Sequence, residues 1–65
     1  MTGQEYKKLR KYMRLTQVEL ASELGISVRK VRLIEAKSEV PVSDEYAMRH
    51  AFTMIAEPQA EPQNA

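Results

Sequence analysis

Helix-start signals recur along this sequence at short intervals, and they constrain the fold more than any other feature. Thr2 stands three residues before Glu5, and Thr16 stands three residues before Glu19. This is the spacing of a capping box, in which the hydroxyl and the carboxylate each accept a hydrogen bond from a backbone N–H at the start of a helix. Ser27 is a third capping residue, placed between two apolar stretches. The intervals leave room for helices of only about two or three turns.

A fourth helix start follows Pro41, because proline disfavours helical backbone at the residue before it. Ser43 can cap this helix, while Asp44 and Glu45 place negative charge at the positive end of its dipole. The sequence therefore predicts four helices, over residues of about 3–13, 17–24, 28–36 and 44–56. The alternating pattern of a β-strand is absent from the sequence.

Apolar residues behind each start recur at helical spacing, so that one stripe of each helix can face a common core. The expected core comprises Tyr6, Leu9, Met13, Leu20, Ala21, Leu24, Val31, Ile34, Ala47, Ala51, Met54 and Ile55. We expect an all-α fold in a single domain, a compact bundle of four or five helices over residues 1–56. Residues 57–65 nearly repeat one short Glu-Pro-Gln segment without a large apolar side chain, which predicts a disordered tail.

Composition excludes several classes of function. The chain has no cysteine, which removes disulfides, thiolate metal ligands and a cysteine nucleophile. Its single histidine, His50, has no second ligand nearby, so we expect it in solvent or at the rim of an interface and not on a metal. An activated nucleophile, an acid–base pair and a glycine-rich phosphate loop are all missing, so we expect neither an enzyme nor a cofactor. Without an apolar run of roughly 20 residues, we expect a cytoplasmic protein that does not bind membranes.

Charge is divided unevenly along the chain. Residues 1–37 hold nine basic and four acidic side chains, a net charge of +5. Residues 38–65 hold one basic and five acidic side chains, a net charge of −4. Two interpretations are open: one face serves a polyanion, or both parts carry ordinary solvated charge.

Residues 17–36 meet the steric requirements of two short helices joined by a tight turn. Ala21 provides a small side chain where the first of these helices faces the second, and Gly25 tolerates a positive φ in the turn. Apolar residues remain for the inner faces, whereas the second helix keeps a basic outer side. Helices that cross at about 90–120° in this way can place the second one in the major groove of DNA.

This segment resembles the helix-turn-helix of the Cro and lambdoid-repressor type proteins, the Xre family. The resemblance is carried by LTQVELASELGIS at residues 15–27, followed by Val31, Ile34 and Glu35, and it extends without gaps from about Leu9 to Pro41. It implies a lambda-repressor-like fold and a sequence-specific transcriptional regulator that binds double-stranded DNA. The implied protein is a prokaryotic or phage repressor in the cytoplasm, associated with the nucleoid and independent of small-molecule ligands.

The resemblance also implies roles for individual residues. Base contacts are expected from Val28, Arg29, Arg32 and Leu33. Phosphate contacts are expected from Thr16, Gln17, Ser27, Lys30 and Lys37. Arginine can bind guanine O6 and N7 with two hydrogen bonds, although phosphate contact or solvation is the alternative for both arginines. Leu33 departs from the polar or basic residue usual in the family, and either contacts a thymine methyl or is exposed without a function.

Arg10 and Glu35 match an ion pair that ties the first helix to the third in the family; two independent surface charges are the alternative. The loop after the third helix departs from the family pattern. It holds one basic residue, Lys37, and one acidic residue, Glu39, where many relatives have a basic loop. We therefore expect weaker DNA binding per monomer than in those relatives.

The fourth predicted helix has a wider apolar arc than a single core-facing stripe needs. Met48 and Phe52 would be exposed unless another protein covers them, although Phe52 could instead fold back onto its own core. We expect a homodimer through Met48, Phe52 and Ile55, because two recognition helices can then enter successive major grooves of a short palindromic operator. Two other hypotheses remain: an antitoxin-like module that engages a toxin through the fourth helix and the tail, and a helical scaffold that has lost DNA binding.

Overall fold

The computed structural model describes residues 1–55. Four α-helices, and no strand, occur in this part of the chain: α1 Gly3–Tyr12, α2 Gln17–Leu24, α3 Val28–Glu35 and α4 Val42–Ile55. They form a compact all-α domain in which α1, α2 and α3 begin and end within one residue of their predicted bounds. None of the four helices is long and apolar enough to cross a membrane. The expected domain limit at residue 56 and the predicted tail lie outside the described residues.

Both predicted capping boxes are confirmed. The hydroxyl oxygens of Thr2 and Thr16 each accept a hydrogen bond from the backbone N–H of the glutamate three residues on, at 3.1 Å. The carboxylates of Glu5 and Glu19 accept in return from the backbone N–H of the capping threonine, at 2.8 Å. These bonds satisfy N–H groups that have no partner within the helix, and they fix the starts of α1 and α2.

The turns between the first three helices use left-handed backbone. Gly25 ends α2 with a φ of 69°, as its position in the sequence predicts. Arg14, just after α1, has a φ of 61° and is the single non-glycine residue with a positive φ in residues 1–55. Such a conformation costs a residue with a side chain about 1–2 kcal/mol. Ser27 then caps α3, where its hydroxyl oxygen accepts from the backbone N–H of Lys30 at 3.1 Å.

The start of α4 differs from the prediction. The helix begins at Val42, so Ser43 lies inside the first turn and is not its cap. The carbonyl oxygen of Pro41 accepts from the backbone N–H of Glu45 at 2.9 Å and begins the helical hydrogen bonding. Proline suits this place, because its φ is fixed near the helical value and its missing N–H is not needed at a helix start. Asp44 and Glu45 lie in the first turn, as expected.

The core lies where the inner faces of the four helices meet. Its fully buried side chains are Tyr6, Leu20, Val31, Val40 and Met48. Met13, Ala21, Ile34 and Ala51 are also buried, whereas Leu9, Leu24 and Ile55 are half-buried and pack against the core. The predicted core stripes of α1, α2 and α3 are therefore confirmed, and Val40 from the loop before α4 joins them.

The face of α4 that points inward matches the prediction only in part, at Ala51 and Ile55. Met48 and Ala51 are buried, whereas Ala47 and Met54 are exposed, so the prediction was wrong for these two residues. The observed orientation buries the long side chain of Met48 in place of a single methyl group and brings Phe52 against the core. Because burial contributes about 25 cal/mol per Å² of apolar surface, the larger side chains decide which face turns inward.

The beginning of the chain is packed against the end of α3. The backbone N–H of Gly3 donates to the carbonyl oxygen of Lys37 at 2.9 Å, and the carbonyl oxygen of Met1 accepts from Val40 at 2.8 Å. A Cβ atom at Gly3 would lie 2.5 Å from the carbonyl oxygens of both Glu35 and Lys37. The close approach of these backbones requires glycine in the first turn of α1, a position that the sequence analysis did not single out.

Ion pairs attach the first residue to the start of α4. The Met1 ammonium lies 2.8 Å from a carboxylate oxygen of Glu45 and 3.2 Å from one of Glu39. Glu45 also accepts from Nε of Arg49 at 3.0 Å. The bond from the Met1 ammonium, together with that from Arg49, holds the pKa of Glu45 below its ordinary value. These contacts connect the start of the chain to the first turns of α4.

Candidate nucleic-acid interface

α3 has a buried apolar side and an exposed basic side. Val31 and Ile34 are 0% and 2% exposed and hold the helix on the core. On the other side, Arg29, Arg32 and Leu33 are exposed. α2 packs against α3 across the short turn at residues 25–27. A large ligand can therefore approach the outer side of α3 without displacing core residues.

Three of the four residues predicted to contact bases are on this exposed surface. Arg29 and Arg32 carry its positive charge, and Leu33, 55% exposed, adds an apolar surface beside them. Val28 differs, because it is half-buried and packs against the core. Only part of its side chain is left for a contact with a base.

A groove of about 340 Å³ borders α3 on the side of α4. Its lining residues are Ser27, Arg29, Lys30, Leu33, Ile34, Lys37 and Asp44. Nζ of Lys30 lies 3.5 Å from Oδ1 of Asp44, and the two side chains are 51% and 17% exposed. The predicted phosphate contact Lys30 therefore has a carboxylate beside it, which offsets its charge. Lys37 also lines this groove and is exposed.

The ion pair expected between Arg10 and Glu35 is present. Nε of Arg10 lies 2.6 Å from Oε2 of Glu35, and the two side chains are only 9% and 6% exposed. A second, longer contact joins Nη2 to Oε1 at 3.4 Å, and Nη1 donates to the carbonyl oxygen of Leu15 at 2.8 Å. The pair thus connects α1, the loop before α2 and the end of α3.

Gln17 extends this ion pair to the surface. Its Nε2 donates to Oε1 of Glu35 at 3.0 Å, and its Oε1 accepts from Nε of Arg32 at 3.3 Å. Gln17 was predicted as a phosphate contact, but its half-buried side chain bridges a buried carboxylate and an exposed guanidinium. The result is a continuous series of hydrogen bonds from Arg10 through Glu35 and Gln17 to Arg32.

The hydroxyls predicted to contact phosphate serve first as helix caps. Thr16 and Ser27 accept backbone hydrogen bonds at the starts of α2 and α3. A hydroxyl that accepts in this way still has its own O–H to donate, so capping is compatible with a phosphate contact. Both residues are exposed.

Tyr6 lies beneath this region as a buried polar group. Its side chain is 0% exposed, and its hydroxyl is the one buried side-chain polar atom without a hydrogen-bond partner in residues 1–55. Burial, together with the negative charges of Asp44 and Glu35, raises the pKa of Tyr6 to about 12. The hydroxyl of Tyr6 therefore stays protonated at neutral and at mildly alkaline pH.

The apolar surface of α4 is smaller than the sequence suggested. Met48 is 0% exposed within the single chain, so the prediction that it needs a partner to cover it, or contributes to a dimer interface, is wrong. Phe52 folds back on the core, the alternative considered for it, and its ring stacks on Tyr12 with 5.5 Å between the centroids. Ile55 is half-buried and His50 is exposed.

A second groove, of about 550 Å³, remains between α1 and α4. Its lining residues are Met1, Glu5, Lys8, Leu9, Tyr12 and Arg49. Tyr12 is 68% exposed here, although its ring also stacks on Phe52. The groove thus combines apolar surface with charges of both signs.

The donors on the outer side of α3 are guanidinium, ammonium and hydroxyl groups, which complement phosphate oxygens and the major-groove edge of guanine.

Comparison with known proteins gave no match among family models, curated protein sequences or solved structures. Among residues 1–55, no group of histidine and carboxylate side chains is arranged to hold a metal ion.

Proposed function

We propose that this protein is a sequence-specific regulator of transcription that binds double-stranded DNA, with α2 and α3 as a helix-turn-helix of the lambda-repressor-like type. One observation carries the proposal. α3 is fixed on the core by Val31 and Ile34, while its outer side exposes Arg29, Arg32 and Leu33. Recognition through the major groove requires a helix that is packed firmly on its domain and exposes side chains such as arginine to the bases.

The spacing along α3 supports the same function. Arg29 and Leu33 are four residues apart and therefore lie on one side of the helix, with Arg32 next to them. The arginines can bind guanine with two hydrogen bonds each, and the leucine can contact a thymine methyl. Thr16, Ser27 and Lys37 flank this strip and supply donors for phosphates. The proposed role of the protein is repression, by occupying an operator.

The second groove supports a dimer as the DNA-binding unit. A second copy of this chain is the proposed occupant, because the rim of the groove carries both signs of charge. Glu5 and Lys8 in the rim would supply opposite charges for pairing between the copies, whereas Arg49 is already paired with Glu45. Of the remaining predicted interface residues, Phe52 stacks on Tyr12 beside the groove, whereas Ile55 is not one of its lining residues. Two copies would present two α3 helices to a palindromic site.

Selection of bound sequences from random duplex DNA by the purified protein tests the proposal. We expect a palindromic motif, and binding that weakens steeply with salt. Arg29→Ala and Arg32→Ala should each lower the affinity for the selected site by about 1–3 kcal/mol. Each should also relax the sequence preference at the base pair that the arginine contacts. Lys7→Ala is the matched control, because it removes one exposed positive charge from α1. Unchanged affinity in both arginine variants would contradict the assignment of α3.

Sedimentation equilibrium of Tyr12→Glu tests the dimer, because this side chain is largely exposed, and urea denaturation of the variant shows whether losing the stacking on Phe52 weakens the fold. We expect the wild type to sediment as a dimer and the variant as a monomer with weakened operator binding. A wild-type monomer that occupies a single half-site contradicts the dimer. Rescue of cells from a toxic protein encoded beside this one would instead favour the antitoxin hypothesis, in which the fourth helix and the tail engage the toxin.

A further inference from the structure

We propose that Gln17 is a positioning residue that aims the guanidinium of Arg32 at guanine. This inference rests on the proposed DNA-binding function and deepens it. The observation behind it is the series of hydrogen bonds that begins at the buried pair of Arg10 and Glu35 and ends on the exposed Arg32. Gln17 is its only link between the buried and the exposed part.

The chemistry of the three groups fixes the orientation of the amide. A carboxylate can only accept hydrogen bonds, and a guanidinium can only donate them. Gln17 must therefore turn its NH₂ toward Glu35 and its oxygen toward Arg32, as observed at 3.0 and 3.3 Å. Because Glu35 is itself held by Arg10 at 2.6 Å, the amide oxygen has a defined position on the domain.

The bond to Gln17 determines which part of Arg32 meets a ligand. It uses the N–H of Nε, so the four N–H groups of Nη1 and Nη2 are those that remain for recognition. These two nitrogens form the end of the guanidinium fork, which can donate in parallel to O6 and N7 of guanine. A side chain held in this way loses less conformational freedom when it binds. Arg29, on the same helix, provides the internal comparison.

Direct contact of Gln17 with a DNA phosphate is the competing role, and the two roles predict different losses. A phosphate contact contributes to every sequence alike, so its removal lowers specific and non-specific affinity together. A positioning residue contributes only through the guanine that Arg32 contacts. Its removal therefore lowers the ratio of specific to non-specific affinity and leaves the non-specific affinity unchanged.

Gln17→Met tests this difference, because methionine has a similar length without donors or acceptors. The probes are the selected operator and the same operator with 7-deazaguanine, which lacks the N7 acceptor, at the guanine assigned to Arg32. We expect the wild type to lose roughly tenfold in affinity on the modified operator, the size of a lost base contact. Gln17→Met should lose about as much on the normal operator and less than about twofold more on the modified one. An equal loss of specific and non-specific binding would overturn the proposal.

Nuclear magnetic resonance of the free protein separates this proposal from the proposed function. We expect the Nε–H signal of Arg32 to exchange with solvent more slowly than that of Arg29, and Gln17→Met to abolish the difference. Val18→Met on the exposed side of α2 is the control and should leave both signals unchanged. Equal exchange of the two arginines in the wild type overturns the positioning role even if DNA binding is real. A slow Arg32 signal in a protein that selects no DNA motif overturns the proposed function instead, and guanine recognition with it.

Discussion

Two ion pairs of α3 differ in the distance between their charged atoms and in the burial of their side chains. Arg10 and Glu35 are separated by 2.6 Å, and their side chains are 9% and 6% exposed. Lys30 and Asp44 are separated by 3.5 Å, and their side chains are 51% and 17% exposed. A buried pair makes each partner depend on the other, because the loss of one leaves a desolvated charge. A surface pair contributes little to folding but changes the charge that a ligand meets.

Tyr6 connects the two sides, since the charges of both Glu35 and Asp44 act on its buried hydroxyl. Three polar contributions therefore act on α3: the pair of Arg10 and Glu35 holds it, the pair of Lys30 and Asp44 adjusts its surface charge, and the buried hydroxyl of Tyr6 is near both. Each can be changed by a single substitution.

Glu35→Ala should have the largest effect, because it leaves Arg10 buried without its partner and Gln17 without its acceptor. We expect a loss of about 3–5 kcal/mol in the free energy of unfolding, measured by urea denaturation. For a domain of 65 residues this is most of the expected stability. The double variant Arg10→Met/Glu35→Leu, which removes both charges, should recover most of it; if the double variant is no more stable than the single one, the pair is not what holds α3.

Gly3→Ala disturbs the same end of α3 without changing any charge. Its Cβ would lie 2.5 Å from the carbonyl oxygen of Glu35, so the backbones must separate. We expect a loss of about 1–3 kcal/mol in urea denaturation, the usual cost of overpacking. Gln4→Ala, at an exposed position of the same turn, should be nearly neutral. Equal stability of the two variants would show that the close approach is unimportant.

Tyr6→Phe should stabilise the protein, by about 1 kcal/mol, because it removes a buried hydroxyl without a hydrogen-bond partner. The variant should also change the pH profile. The pKa of Tyr6 is raised from 10.0 to about 12 in the folded protein, so the stabilising effect of the neutral form is complete below pH 10.0 and is lost as pH rises through 12. Thermal unfolding at pH 7, 10 and 11.5 should show wild type but not Tyr6→Phe losing this stability; a variant less stable than wild type at pH 7 would contradict the structure.

Asp44→Asn should have the smallest effect on folding, below about 1 kcal/mol, because the pair with Lys30 is partly exposed. Its effect on DNA binding should be favourable, in contrast to its small cost in folding. Lys30, freed of its carboxylate, becomes available to a phosphate, and the salt dependence of binding should steepen by about one phosphate contact. Glu23→Gln, an equal charge change at an exposed position of α2, provides the control. A matching rise in affinity for both variants would mean that only net charge matters.

Local features of the fold were predictable from the sequence. Thr2, Thr16 and Ser27 cap the expected helices because each motif satisfies backbone donors only a few residues away. The buried stripes of α1 to α3 followed from spacing for the same reason. The orientation of α4 was not predictable in this way, because its apolar arc was wide enough for several faces and only contact with the other helices selects Met48 over Ala47.

The site was predictable in part. The exposed arginines and leucine of α3 follow from its periodicity, and the ion pair of Arg10 and Glu35 from the resemblance. The contacts of Gln17 with Glu35 and Arg32 join residues 18 and 15 positions apart on different helices, and no local pattern encodes them. The same holds for Lys30 and Asp44 and for the close approach at Gly3.

The two sides of α3 leave different freedom for sequence change. Val31 and Ile34 fill the core and tolerate few replacements. Arg29 and Leu33 are exposed on the other side, so their substitution changes the outer surface of the helix while the domain stays folded. Under the proposed function, a few exchanges at these outer positions would give the same scaffold a new target sequence.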